Sequence, residues 1–173
     1  MKLDSVELEI SIPGIQLGGT WTFDETERRA ACEIYVELVT RIAVARLEPA
    51  EGSLREALSS FHSLFATSRE ILRKYGPDVA QPKKNSDYSL GYLVLWMLNA
   101  VVRPLLAKWH PLLLDYEKLR PDNLSSIEHE KNWSEGGRFR AEIDAATTAL
   151  TQYALVLEQV CGIPSLIPKQ SRR

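Results

Sequence analysis

Cysteine, histidine and methionine are all scarce here, at 2, 3 and 2 of 173 residues. Cys32 and Cys161 form no CxxC pair, which excludes a zinc knuckle and a thioredoxin-like motif. The chain has no GxSxG elbow, P-loop, GxGxxG fingerprint or Cys–His signature, so no familiar catalytic motif points to a reaction. Long hydrophobic runs are also lacking. The most apolar one, LGYLVLWMLNAVV over Leu90–Val102, is 13 residues long, contains Asn99 and is followed by Arg103. That is too short to cross a bilayer and predicts a core helix, with no membrane role. The opening MKLDSVELEISI has the pattern of a strand and not of a signal peptide, so a reducing cytoplasm is the expected compartment.

No strong charge of either sign is present. The formal net charge is −2, divided as −4 over residues 1–50, +3 over 51–110 and −1 over 111–173. The middle third carries Arg69, Arg73, Lys74, Lys83 and Lys84. Five cations spread over two segments fall short of the basic stripe of a nucleic-acid binder, so such contact is only a minor alternative. Apolar residues at 45% and charged residues at 25% are globular usage, and no repeat is evident. One domain over 1–173 is predicted.

What is present is helical periodicity behind one strand. In SVELEISI, Val6, Leu8, Ile10 and Ile12 alternate with Glu7, Glu9 and Ser11, which predicts a half-buried strand ended by Pro13-Gly14. A short return strand through Ile15 and Leu17 would end before Gly18-Gly19, giving a β element over 5–17. Asp24 and Glu27 form a capping-box-like start to a helix running to Leu47. A second helix follows Gly52 and stops at Tyr75 before Gly76-Pro77. Residues 76–88 form a polar loop, and a third, largely apolar helix starts near Ser89. A fourth opens at Ser125, with Glu128 at the capping-box position, and passes Gly136-Gly137 to reach Val160. The tail 168–173 is expected to fray. The predicted fold is all-α, a bundle of about four long helices with a small N-terminal β-strand or hairpin.

The segment RPLLAKWHPLL, Arg103–Leu113, places two prolines and several polar groups inside an apolar pattern. Pro104 and Pro111 would free the carbonyls of Ala100 and Ala107 and break the third helix into short pieces. Arg103, the Trp109 indole and His110 could donate to those carbonyls. The competing reading makes Arg103, Lys108, Trp109 and His110 a partner-facing corner, because Arg and Trp are favoured interface anchors.

Metal chemistry would need His110 to meet His129 and Glu130 from another segment. In IEHEKNW the acidic and histidine side chains are adjacent, about 100° apart on a helix, and do not converge as HExxH would. His62, beside Phe61, is expected on a helix surface. No cofactor is expected.

The strings ELVTRIAV, FATSREILRKYGPDVA and LNAVVRPLLAKWHPLL resemble a group of bacterial helical proteins of undetermined activity, associated with conflict and anti-phage gene clusters. The resemblance spans roughly residues 30–160. It implies an accessory, partner-binding role and carries no catalytic residue.

The sequence therefore predicts a cytoplasmic, non-enzymatic adaptor that binds another protein or a second copy of itself. Its expected contact surfaces are the strand with Val6, Leu8 and Ile10 and the corner with Arg103, Lys108, Trp109 and His110. A small metal-assisted hydrolase using His110, His129 and Glu130 is the alternative.

Overall fold

The computed structural model of the chain describes residues 4–12, 14–41 and 52–167. Strands β1 (Ser5–Ile12) and β2 (Ile15–Thr22) form an antiparallel hairpin in which Ser5 faces Thr22 and Ile12 faces Ile15. Helices α1 (Glu25–Val39), α2 (Leu54–Tyr75), α3 (Leu90–Met97), α4 (Arg103–Lys118), α5 (Ser126–Lys131) and α6 (Gly136–Cys161) follow. The architecture is the expected all-α bundle with an N-terminal hairpin. The hairpin lies on α6 through β1, while α1 packs against both α2 and α6.

The alternation in β1 is what seats it. Val6, Leu8 and Ile10 are buried against the helices, and Glu7 and Glu9 are exposed. β2 departs from expectation by continuing through Gly18-Gly19 to Thr22, where Trp21 is fully buried. Gly19 is needed there. Its φ is +146°, and a Cβ would stand 2.7 Å from Asp87 Oδ2 and 2.9 Å from the Tyr88 ring.

Asp24 caps α1 by accepting from the Glu27 amide at 2.9 Å. The described part of α1 ends at Val39, and the predicted continuation to Leu47 lies outside the described residues beyond 41. The frayed tail predicted over 168–173 lies outside them as well. α2 carries a complete capping box between Ser53 and Glu56 and ends at Gly76 as predicted. A 3₁₀ turn, Gly76–Val79, opens the loop.

The prolines do not break the third helix. A π turn over Leu98–Val102 joins α3 to α4, with the Arg103 amide donating to Leu98 O. That wider turn resets the hydrogen-bond ladder just ahead of Pro104, which then occupies the first turn of α4, where a missing amide costs little. Pro111 sits within α4 and is exposed. The combined Leu90–Lys118 run is 29 residues, long and apolar enough to cross a membrane, and half of its most apolar window is buried inside the protein.

The predicted fourth helix is interrupted. α5 stops at Lys131, and α6 starts afresh at Gly136 after a turn through Trp133. The two cysteines, on separate helices in sequence, are joined by a disulfide across α1 and α6 with their Cα atoms 5.5 Å apart. A link between residues 129 positions apart constrains the unfolded chain strongly.

Glu27 is fully buried, and its Oε1 accepts from the Leu90 amide at 2.8 Å, the start of α3. Burial raises its carboxyl above the ordinary 4.5, against the Leu90 bond and the nearby Lys83 charge. The Trp21 indole also favours the charged form without closing a hydrogen bond of ordinary geometry. With the folded value raised, the folded state holds the Glu27 proton more tightly than the unfolded chain does. The resulting stabilisation is complete below the unfolded value and is lost as pH rises through the folded one. Glu27→Gln keeps an oxygen for Leu90 and has no such loss. In urea unfolding, the stability of Glu27→Gln minus that of wild type should therefore grow as pH rises from about 4.5 and then level off. A difference independent of pH would contradict this account.

Candidate functional site

Trp109 was expected at a contact surface and is instead fully buried. Its ring stacks on Phe139 at 4.6 Å between centroids and meets Trp133 edge-on at 6.0 Å. Its indole donates to Glu142 Oε2 at 2.6 Å and not to a freed carbonyl. Lys108 donates to the other Glu142 oxygen and lies 4.6 Å from the Trp109 ring. Burial alone would raise the Glu142 carboxyl, but the bonds from Lys108 and Trp109 outweigh it and hold the group below its ordinary value. Arg103 is exposed, with its guanidinium 5.9 Å from the Phe65 centroid, and His110 is exposed. The corner thus divides into a core tryptophan with its ion pair and two separate surface residues.

The metal grouping is not assembled either. His129 is 7% exposed, stacks on Tyr116 at 4.0 Å and holds the Tyr116 carbonyl through Nε2 at 2.9 Å. Glu130 accepts from the Leu54 amide at 2.8 Å and from Arg140 at 3.0 Å, so it caps the start of α2. Both line a cavity that His110 does not reach. Among the described residues, no group of three or more His, Cys, Asp or Glu side chains could hold a metal ion.

The basic middle segment is partly spent. Lys83 pairs with Asp24 at 2.9 Å, and Lys74 pairs with Glu33. Arg69, Arg73 and Lys84 are exposed, and His62 is exposed on α2 as expected.

The hairpin edges carry the sharper signal. The Phe23 amide donates to Asp4 O at 3.0 Å, extending the ladder in which even-numbered β1 residues bond β2. Even-numbered β2 residues therefore point their backbone groups away from β1. The loop after Asn85 meets them one by one. Thr20 and Asp87 exchange two bonds, the Thr20 amide to Asp87 Oδ2 at 2.8 Å and the Asp87 amide to Thr20 O at 2.9 Å. The Thr22 amide donates to Ser86 Oγ at 2.8 Å, and the Tyr88 hydroxyl donates to Gly18 O at 2.8 Å. The β2 edge is closed.

The β1 edge is not. Its outward groups belong to Ser5, Glu7, Glu9 and Ser11, and of these only the Ser11 amide is engaged, by Gln152 Oε1 at 2.8 Å. The backbone groups of Ser5, Glu7 and Glu9 have no partner among the described residues. All four side chains on this row are exposed. Val6, Leu8 and Ile10, expected at a contact surface, are buried. Their side chains are core, and the free chemistry of the strand is backbone flanked by two glutamates. The polar run Ser86-Asp87-Tyr88 was the sequence signal for the covered edge.

No protein family, curated protein or solved structure matches this chain.

The burial of Trp109 and the exposure of Arg103 predict unequal mutational costs. Trp109→Ala should lower unfolding stability by about 3–5 kcal/mol, and Arg103→Ala by less than about 1 kcal/mol, both read from urea midpoints. Comparable losses would return Arg103 to the core.

Proposed function

We propose that the protein is a non-enzymatic binding protein that captures an extended segment of another protein on the free edge of β1. The asymmetry of the hairpin supports this: the β2 edge is saturated by the 85–88 loop, while the β1 edge keeps the outward groups of Ser5, Glu7 and Glu9. Strand addition supplies affinity through main-chain bonds and specificity through alternate side chains. Glu7 and Glu9 project from the solvent face, so a segment with Lys or Arg at alternate positions is the complementary occupant. A second copy is disfavoured. Antiparallel pairing of β1 with itself about Glu7 sets Glu7 opposite Glu7, a like-charge contact. An accessory role of this kind agrees with the resemblance to conflict-system proteins. A cytoplasmic location belongs to the same proposal only where the Cys32–Cys161 bond can persist.

Glu7→Pro removes one outward amide and leaves the backbone ladder to β2 intact, because the backbone of residue 7 does not bond β2; it also removes the carboxylate that accepts from Thr20 Oγ1 at 2.8 Å. An eight-residue peptide alternating Lys with Val should shift the amide resonances of Ser5, Glu7 and Glu9 in wild type and fail to bind Glu7→Pro. The matching Glu-Val peptide should bind at least about tenfold more weakly. Shifts away from β1, or binding untouched by Glu7→Pro, would overturn the reading. A dimer in sedimentation that Glu7→Pro abolishes would make the occupant a second copy and overturn the heterotypic assignment.

A further inference from the structure

A cavity of about 310 Å³ lies where the start of α2, the end of α4 and α5 meet. Two arginines, Arg55 and Arg120, and two glutamates, Glu117 and Glu130, line it, but the hydrogen-bonding capacity of the two sets is not equally spent. Glu117 spends its carboxylate on the Nε and Nη2 of Arg55, the first at 2.9 Å. Glu130 spends one oxygen on the Leu54 amide and the other on Arg140. The carboxylate oxygens lining the cavity are therefore all engaged.

The donors are not. Arg55 keeps Nη1 free, and Arg120, which gives only Nη1 to Leu124 O at 2.9 Å, keeps Nε and Nη2. The Ser126 hydroxyl has no partner among the described residues. One acceptor completes the set. The His129 Nε2 faces a carbonyl, which only accepts, so in the neutral ring Nε2 carries the proton and Nδ1 keeps its lone pair. That Nδ1 is neither hydrogen-bonded nor sealed from solvent. Leu113 and the Tyr116 ring supply apolar wall beside these groups.

We propose that this cavity binds a small phosphate monoester. Several guanidinium and hydroxyl donors with one nitrogen acceptor match a phosphate that keeps one proton: its bare oxygens accept from Arg55, Arg120 and Ser126, and its P–OH donates to His129 Nδ1. The apolar wall takes a compact organic group. A carboxylate offers the same donors a partner, but its pKa is near about 4 against about 6 for the second ionisation of a phosphate monoester, so it keeps a proton for Nδ1 far less readily and is the weaker ligand.

The test is calorimetry on the full chain with phenyl phosphate, inorganic phosphate and benzoate as probes. Phenyl phosphate should bind most tightly. Arg120→Gln, a change at an exposed side chain, should weaken it about tenfold or more, with partial recovery in Arg120→Lys. His129→Phe keeps a ring against Tyr116, leaves the Tyr116 carbonyl its bond from the Leu119 amide and removes the acceptor, so it should weaken phenyl phosphate several-fold and leave benzoate unchanged. The proposal is overturned if none of the three probes binds, if Arg120→Gln binds phenyl phosphate as wild type does, or if benzoate binds as tightly as phenyl phosphate. None of these readouts involves β1, so the cavity and the strand edge stand or fall separately.

Discussion

The molecule is organised around one buried carboxylate. Glu27 lies in the first turn of α1, yet it supplies the acceptor for the first amide of α3, 63 residues away. The helix start it holds has few alternatives, because Ser89 already takes the Tyr92 amide and gives its own hydroxyl to Ala80 O. A close approach fixes the same junction from the other side: a Cβ on Gly91 would stand 2.8 Å from Val79 O. Asp24, capping α1, pairs with Lys83 of the incoming loop. The hairpin, the first helix, the loop and the core helix therefore meet at one polar knot inside an apolar shell. An unpaired donor at a buried helix start costs as much as a lost hydrogen bond, so the carboxylate is kept despite its own desolvation.

That knot decides which strand edge is covered. Once Lys83 and Ser89 are anchored at the two ends of a short loop, the side chains between them must pass along β2. Ser86, Asp87 and Tyr88 then act as a surrogate third strand, matching the groups of Thr22, Thr20 and Gly18 in turn. β1 has α6 beneath it but only Gln152 reaching its rim. The difference between the two edges is thus a consequence of where α3 begins.

Periodicity made the helices and the inward face of β1 legible, because burial on one face is all that such a pattern encodes. The interruptions were harder to read. A proline inside an apolar helical pattern usually marks an end. Here a π turn absorbs Pro104 instead, and nothing in VVRPLL distinguishes the two outcomes, since the choice rests on packing of Leu98, Val101 and Val102 around the turn. The Cys32–Cys161 bond was equally hidden, as it depends on α1 lying along α6. Trp109 was misread for a related reason. Its neighbours Arg103, Lys108 and His110 are polar, but Glu142, 33 residues on, supplies the acceptor that lets the indole sit in the core.

Both proposals rest on unspent hydrogen-bonding capacity and not on side-chain type alone. Trp109, Lys108 and Glu130 have the composition of a site, yet each has its polar atoms committed within the fold. Ser5 and Ser126 belong to no motif in the sequence and retain groups with no partner among the described residues. A folded chain satisfies buried polar groups wherever it can, so accessible groups left open at a structured edge or in a cavity mark where an outside partner would complete the set. Two such places exist among the described residues, one made of backbone and one of guanidinium, hydroxyl and imidazole. The two proposed occupants differ enough that one ligand could not serve both: an extended cationic chain at the edge and a compact anion in the cavity.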